Sequence, residues 1–496
     1  MVLKEMRILG KESLIYGLST VLARLLNFML APFYTHVLAA EDYGVVATVF
    51  AYIAFANIVY RHGMDQAYMR FASEKDGRER EAFSTSFLWL FAASIIFSVV
   101  ICLFSTPVAV ITGMGAEYSG LLFYASLVLL LDNLTMIPFT QLRLQHRPLR
   151  FAGIRTVGIV VNLIANFVLL VNFHMGIKGV MVASVISSAI TALLLLPHMK
   201  DAFPPLFTRE MFCRLSAFAW PFVPAGLAGM MVQVLDRPIM MLVSDARTVG
   251  IYQANYRLGI IMMMVVTMFD QAWRPFFLER AKQDNAKEVF ARVFTYFTVV
   301  SMWLALVMSL FIGDAVRFPI MGYTLIHQSY WEGLSVIPVI LFGYMLYGLY
   351  INFMVSVVIT KKTQSLIWTT LAGGVISVCG NLTMVPRFGM MGAAWTMFAC
   401  YAVMTISMFV VARRLYPVPY EWRRLGYLYL VLAGCGLAYY ICGGMFEGKL
   451  LFVCKVGIAM LFPLALLPAH FFGAEERAEL AGMLRRGKPK PAARPL

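Results

Sequence analysis

Residues 13–38 read SLIYGLSTVLARLLNFMLAPFYTHVL, and Arg24 is the only formal charge among them. A helix needs about 20 mostly apolar residues to cross the hydrocarbon of a bilayer, so this run is long enough to span. Lipid offers no partner to backbone N–H and C=O groups, which makes a spanning segment of this length a helix. On that helix Ser13, Tyr16, Gly17, Thr20, Arg24, Asn27 and Tyr34 recur at steps of three or four, a polar stripe along one face. A central Arg costs roughly 2.5–3.5 kcal/mol on insertion scales and sits too deep to snorkel easily. The stripe is therefore expected to face a bundle interior or a water-filled cavity.

The rest of the chain follows suit. Of 496 residues 60% are hydrophobic and 14% charged, with a mean hydropathy of +0.76. Soluble domains carry about 45–50% apolar and about 25% charged residues, so soluble, disordered and disulfide-rich classes are excluded. The net charge of +15 suggests nucleic acid, but a basic nucleic-acid-binding domain would not be this apolar. Fourteen spanning runs stand between charge clusters, at about 13–38, 43–60, 83–104, 121–142, 151–171, 179–196, 215–243, 249–271, 290–311, 333–359, 366–385, 392–411, 425–443 and 450–472. Thirty-one of the 41 Lys and Arg residues lie in the N-terminus, alternate loops and the C-terminal tail, against five in the opposite loops and five within the runs. This bias predicts an even number of spans with both termini cytoplasmic, and it explains the basicity without nucleic acid. The seven Cys are scattered mostly within spans with no CxxC spacing, so they are read as packing residues. The tail is expected to open with an amphipathic helix, Glu475 to Arg486, and to stay solvated. No metal or cofactor is expected.

The chain also repeats itself. Glu41 to Thr48 (EDYGVVAT) matches Arg247 to Ala254 (RTVGIYQA) at an offset of 206, and Asp65-Gln66-Ala67 matches Asp270-Gln271-Ala272 at 205. Asn166 and Phe173 match Asn381 and Phe388 at 215, and Gly179 then matches Gly392. The expected fold is an all-α integral membrane protein of about 14 helices, two parallel six-helix repeats plus two C-terminal helices. The domain reading is an N-terminal lobe at 1–214, a C-terminal lobe at 215–424, two added spans at 425–472 and a basic tail at 473–496. Parallel halves with a site between them are a transporter arrangement.

Charges within the spans nominate the site. Span 5 carries Arg155, Asn162 and Asn166, where the second copy has Thr370, Ser377 and Asn381; span 8 carries Gln253 and Arg257; Arg61 ends span 2; span 7 holds Asp236-Arg237. One reading is a cationic cavity lined by Arg24, Asn27, Arg155, Gln253 and Arg257, with Arg61 and Arg237 nearer its ends, where planar guanidinium groups suit phosphate oxygens. The other is that arginines pair with Asp132, Asp236 or Asp270 to lock helices, with Asp132 assigned to structure. Asp236 and Arg237, pointing about 100° apart as helix neighbours, are expected to address different partners. Asp236 serves either an Arg or a coupling ion. Lys455 is expected to snorkel to the membrane edge.

The set resembles the Wzx-type lipid-linked oligosaccharide flippases of the multidrug/oligosaccharidyl-lipid/polysaccharide (MOP) exporter superfamily. It is carried by the 6+6+2 spans, the central Arg24, the EDYGVVAT stretch, Leu235-Asp236-Arg237, Arg247 to Tyr252, Gly63 to Phe71, and Gly389 to Ala394. The resemblance implies a MATE-like fold and a non-enzyme. It implies flipping of an undecaprenyl-diphosphate-linked O-antigen, capsule or exopolysaccharide repeat to the outer leaflet of a bacterial cytoplasmic membrane by alternating access. The coupling ion stays open between H+ and Na+. Relatives that flip the peptidoglycan precursor carry lumen arginines on spans 1, 2 and 8, which Arg24, Arg61 and Arg257 match by span; they carry more than one on span 1, and this chain has Arg24 alone. A multidrug cation antiporter of the MATE type is the alternative, disfavoured because cavity arginines would repel its cargo.

Overall fold

The computed structural model describes residues 25–26, 28–74, 78–200, 205–319, 322–362, 364–466 and 471. Arg24, Asn27 and the tail at 473–496, including the expected amphipathic helix, lie outside the described residues. The described chain is built from helices. The first, α1, covers 28–37. It is followed by α2 (Ala40–Arg61), α3 (Met64–Ala72), α4 (Glu79–Leu103), α5 (Ser105–Ile111), α6 (Ser119–Leu144), α7 (Pro148–Phe167) and α8 (Gly176–Leu195). The chain continues through α9 (Arg209–Ala219), α10 (Phe222–Val234), α11 (Asp236–Val243), α12 (Ala246–Arg280), α13 (Ala286–Arg317), α14 (Ile337–Ile359), α15 (Gln364–Leu415), α16 (Trp422–Met445) and α17 (Gly448–Leu466).

Twelve of the described helical segments are long and apolar enough to cross a membrane. One of them, α15, holds two of the expected spans. Its 52 residues pass through Gly389 at φ 53°, ψ −132°, which is not helical. Three glycines show that the chain doubles back there. A Cβ on Gly373 would meet Met404, one on Gly380 would meet Thr396, and one on Gly392 would strike the carbonyl of Met384. These pairings converge on one turn, as an antiparallel hairpin requires. Thirteen of the fourteen expected spans are thus present among the described residues, and α1 is the end of the other.

The duplication is visible in the backbone. In the first copy α7 and α8 form the equivalent hairpin. There Ser187 donates to the carbonyl of Gly158 at 2.7 Å, and the turn passes through His174 at φ 50°, 215 residues before Gly389. A left-handed backbone costs roughly 1–2 kcal/mol for most residues but little for glycine, and both turns pass through a positive φ at equivalent positions. Where the two copies meet, α2 crosses α12. A Cβ on Gly44 would overlap the carbonyl oxygen of Ala246, and a Cβ on Gly250 would overlap that of Ala40. Gly44 and Gly250, like Ala40 and Ala246, are 206 residues apart, so the crossing is reciprocal. This is close backbone packing of the kind small residues allow in membranes.

The chain divides into two compact units, residues 1–279 with 314–416, and 280–313 with 417–496. Within the second, α13 packs with the two added helices: Trp303 Nε1 donates to the carbonyl of Ala459 at 3.0 Å, and Thr295 Oγ1 to Glu421 at 2.8 Å. Lys455 packs inside its unit instead of extending outward. It is buried at 7% exposure on α17, because its turn faces inward with Ile458, Ala459 and Phe462.

Candidate functional site

Within the first unit, faces of α1, α2, α6, α7, α8 and α12 enclose a cavity of about 700 Å³, within the range of ligand pockets. Helix α2 contributes Tyr43, Val46, Ala47 and Phe50 along one face and Arg61 at its end. Helix α6 contributes Asp132, Thr135, Met136, Phe139, Thr140 and Arg143, spaced 0, 3, 4, 7, 8 and 11, a single stripe on an α-helix. Arg155 and Asn162 enter from α7, Gln253 and Arg257 from α12.

Four arginines therefore share one cavity. Arg143 and Arg155 lie over the ring of Phe151, their guanidinium carbons 4.9 Å and 5.9 Å from its centroid, so the ring helps hold both in place. Arg61 feels the charges of Asp65, Asp132 and Arg143. Arg61 Nε is buried with no hydrogen-bond partner among the described residues. A buried donor left unmade costs about 1–3 kcal/mol or more, a debt an incoming acceptor would cancel. Arg257 stands with Gln253 beside the hydroxyl of Tyr43, nearer the start of α12.

At the end away from the basic loops a cluster of tyrosines borders the cavity. Tyr34 and Tyr43 lie tilted with ring centroids 5.6 Å apart, Tyr43 meets Tyr330 edge-on at 6.2 Å, and the Tyr330 hydroxyl donates to the carbonyl of Leu38 at 3.0 Å. The glycine crossing of α2 and α12 lies at the same end.

The structure brings Arg61, Arg155, Gln253 and Arg257 together as cavity lining. Arg24 and Asn27 lie outside the described residues. Asp236 and Arg237 do not line the cavity, and the expectation that they address different partners is overturned. Arg237 Nη1 donates to Asp236 Oδ1 at 2.9 Å, while its Nε donates to Gln253 Oε1 at 2.7 Å. Tyr252 donates to Asp236 Oδ2 at 2.7 Å, and the guanidinium lies 4.2 Å from the Tyr256 centroid. The reason is local. The helix breaks at Leu235 and restarts at Asp236, so a first-turn carboxylate meets a long side chain that folds back. Asp270 pairs with its helix neighbour Arg274 at 2.9 Å, leaving Arg257 to the cavity.

Asp132 was assigned to helix locking, yet it makes no direct ion pair with an arginine among the described residues. Ser188 Oγ donates to its Oδ1 at 2.7 Å, and Arg61 and Arg155 act on it only through their fields. Arg143 stands in the last turn of α6, where a cation is ordinary by count. The signal that would have found both is the α6 stripe.

A family model described as polysaccharide biosynthesis protein matches residues 9–281. Among solved structures, the lipid II flippase MurJ in an inward closed conformation superposes with a TM-score of 0.72 at 12% identity, covering 91% of this chain and 98% of that one. An inward-facing multidrug resistance MATE family transporter of the MOP superfamily gives 0.65 at 14% identity, over 79% and 94%. The Vibrio cholerae MATE transporter VcmN, in its bent form, gives 0.53 at 11% identity, over 82% and 97%. At these identities the likeness is one of fold. No curated protein sequence matches the chain.

Proposed function

Because the chain belongs to the polysaccharide biosynthesis protein family, a family of multi-pass membrane transporters of MOP-superfamily fold, we propose that it flips a polyprenyl-diphosphate-linked oligosaccharide across the bacterial cytoplasmic membrane, from the cytoplasmic to the outer leaflet. The observation that carries this reading is the convergence of Arg61, Arg143, Arg155 and Arg257 on one cavity whose described lining holds a single carboxylate, Asp132. Guanidinium forks bind phosphate oxygens bidentately, and a site walled by membrane helices strengthens such contacts relative to water. Among the described residues an organic cation would meet four positive charges and one negative, so the drug-export branch of the fold is disfavoured by charge.

Alternating access supplies the motion. The head group enters from the basic, cytoplasmic side while the polyprenyl tail stays in lipid. Rocking of the two copies about the Gly44–Gly250 crossing parts the Tyr34–Tyr43–Tyr330 cluster and exposes the head group outward. A ligand shifts such an equilibrium only by binding the two states differently, so the arginines engaged before and after must differ in number. A gradient of H+ or Na+ is the proposed drive.

The test is complementation of a strain lacking its O-antigen flippase at matched expression. Wild type should restore surface glycan and Arg61→Ala and Arg257→Ala should not, while Arg257→Lys separates charge from the bidentate fork. Full complementation by both alanine variants would remove the cationic cavity from the mechanism.

A further inference from the structure

The cavity has two chemically different walls. Six serine and threonine residues line it, on α6 and α8: Thr135, Thr140, Ser184, Ser187, Ser188 and Thr191. Each has already given its O–H proton to the protein. Thr135 donates to the carbonyl of Asp132 at 2.7 Å and Thr140 to that of Met136 at 2.9 Å. Ser184 donates to the carbonyl of Val180 at 3.1 Å, Ser187 to that of Gly158 at 2.7 Å and Thr191 to that of Ser187 at 2.8 Å. Ser188 donates to Asp132 itself. A hydroxyl has one proton and two lone pairs, so what this wall can still offer a ligand is acceptors.

Asp132 sits in the middle of them. An ionised carboxylate only accepts, at about four lone-pair sites, and here Ser188 uses one. A phosphate is also acceptor-only, so these hydroxyls have nothing to give it and the carboxylate repels it, leaving Arg143 at the far end of the α6 stripe as the phosphate donor on this side. Asp132 and Arg143 are 11 residues apart on α6, about 16 Å along the helix, so the acceptor wall continues well past the level of Arg143. A carboxylate kept in an anion cavity without an arginine in direct contact among the described residues needs a donor-rich partner.

We infer that Asp132 and the hydroxyl wall of α6 and α8 form a sugar subsite that reads the hydroxyl groups of a neutral glycan residue next to the diphosphate, with Asp132 as its specificity-determining side chain. This rests on the arginines holding the diphosphate, and it adds the class of sugar: one presenting O–H donors, not a carboxylate or a second phosphate, toward α6. Vicinal sugar hydroxyls donate to the carboxylate oxygens in place of water, while the arginines hold the phosphates. An unglycosylated prenyl diphosphate gains only the second set and is repelled by Asp132, so the pair of walls discriminates loaded from empty carrier.

The experiment is calorimetric binding to the full-length protein in lipid nanodiscs, with farnesyl diphosphate and the same molecule bearing one neutral hexose on its terminal phosphate. Wild type should bind the hexosylated probe at least tenfold more tightly. Asp132→Asn should move the two affinities in opposite directions, tightening the bare diphosphate and weakening the hexosylated one until they lie within about twofold. Ser188→Ala, which frees the carboxylate to turn, should weaken the hexosylated probe alone and serves as the second variant if Asp132→Asn does not fold. Tightening of both probes by the same factor in Asp132→Asn would overturn the sugar subsite and leave Asp132 as a charge balance. Equal wild-type binding of the two probes would also overturn it with the diphosphate reading intact. Wild type that binds neither probe overturns both.

Discussion

The hairpin α7–α8 and its duplicate within α15 share a backbone and differ in what they face. In both, an asparagine donates back to the carbonyl one turn earlier at 2.8 Å, Asn166 to Asn162 and Asn381 to Ser377. In both, the turn is left-handed, at His174 and Gly389. The first copy then opens onto the cavity with Arg155 and Asn162. The second packs shut against α10, where Ser377 Oγ donates to the carbonyl of Met231 at 2.6 Å and the small face of Gly373 and Gly374 admits Val232 and Ala228. The charges divide in the same way. The second copy's Arg237 is satisfied internally by Asp236, Gln253 and Tyr256, whereas the first copy presents Arg61 Nε without a partner among the described residues. Duplication thus preserved a frame while side chains opened the first hairpin onto the cavity and closed the second against α10, the second copy supplying Gln253 and Arg257 to the cavity from α12 instead.

If that division is right, the largest effect on stability comes from the sealed charges. Arg237→Ala should cost about 3–5 kcal/mol by stranding Asp236 in a dry site, read as a lowered thermal midpoint in detergent. Arg237→Ala combined with Asp236→Ala should recover part of it. The open charges should behave oppositely. Arg61→Ala and Arg155→Thr, the latter installing the second copy's residue, should each slow transport roughly 10- to 100-fold, the worth of a charged hydrogen bond of about 1.5–3 kcal/mol. Their thermal midpoints should hold. A melting loss in Arg61→Ala as large as that of Arg237→Ala would erase the distinction.

The crossing should treat the copies alike. Gly44→Ala and Gly250→Ala each place a methyl against a backbone carbonyl and should each destabilise by about 1–3 kcal/mol; an effect confined to one would deny the reciprocal geometry. The smallest contrast lies in the two asparagines. Asn166→Ala also strips Tyr34 of the acceptor it meets at 2.8 Å, leaving a buried hydroxyl unpaired at about 1–3 kcal/mol. Asn381 Oδ1 already lacks a partner among the described residues, so Asn381→Ala should cost less in a thermal melt.

Much of this was legible in the sequence because its causes are local. Hydropathy and the cation bias placed the spans, and the matches at offset 206 lie on the very glycines that cross. Arg61, Arg155, Gln253 and Arg257 were found because a charge or amide within an apolar run has few places to go. Arg143 was missed because it ends a span, where a cation is ordinary by count, and only the α6 stripe turns it inward. The tie between Asp236 and Arg237 follows from the helix break at Leu235, which Pro238 marks by withholding a backbone N–H from the carbonyl of Val234. The spent protons of the hydroxyl wall depend on which carbonyls lie within reach, which spacing alone does not report.

The most direct measurement is flipping of a fluorescent polyprenyl-diphosphate oligosaccharide in proteoliposomes, followed by quenching of the exposed label. Wild type should move it, and Arg155→Ala and Arg257→Ala should slow it at least tenfold while remaining folded. Wild type that leaves the lipid in place but exports ethidium, faster still in the alanine variants, would contradict the account and assign the cavity to organic cations.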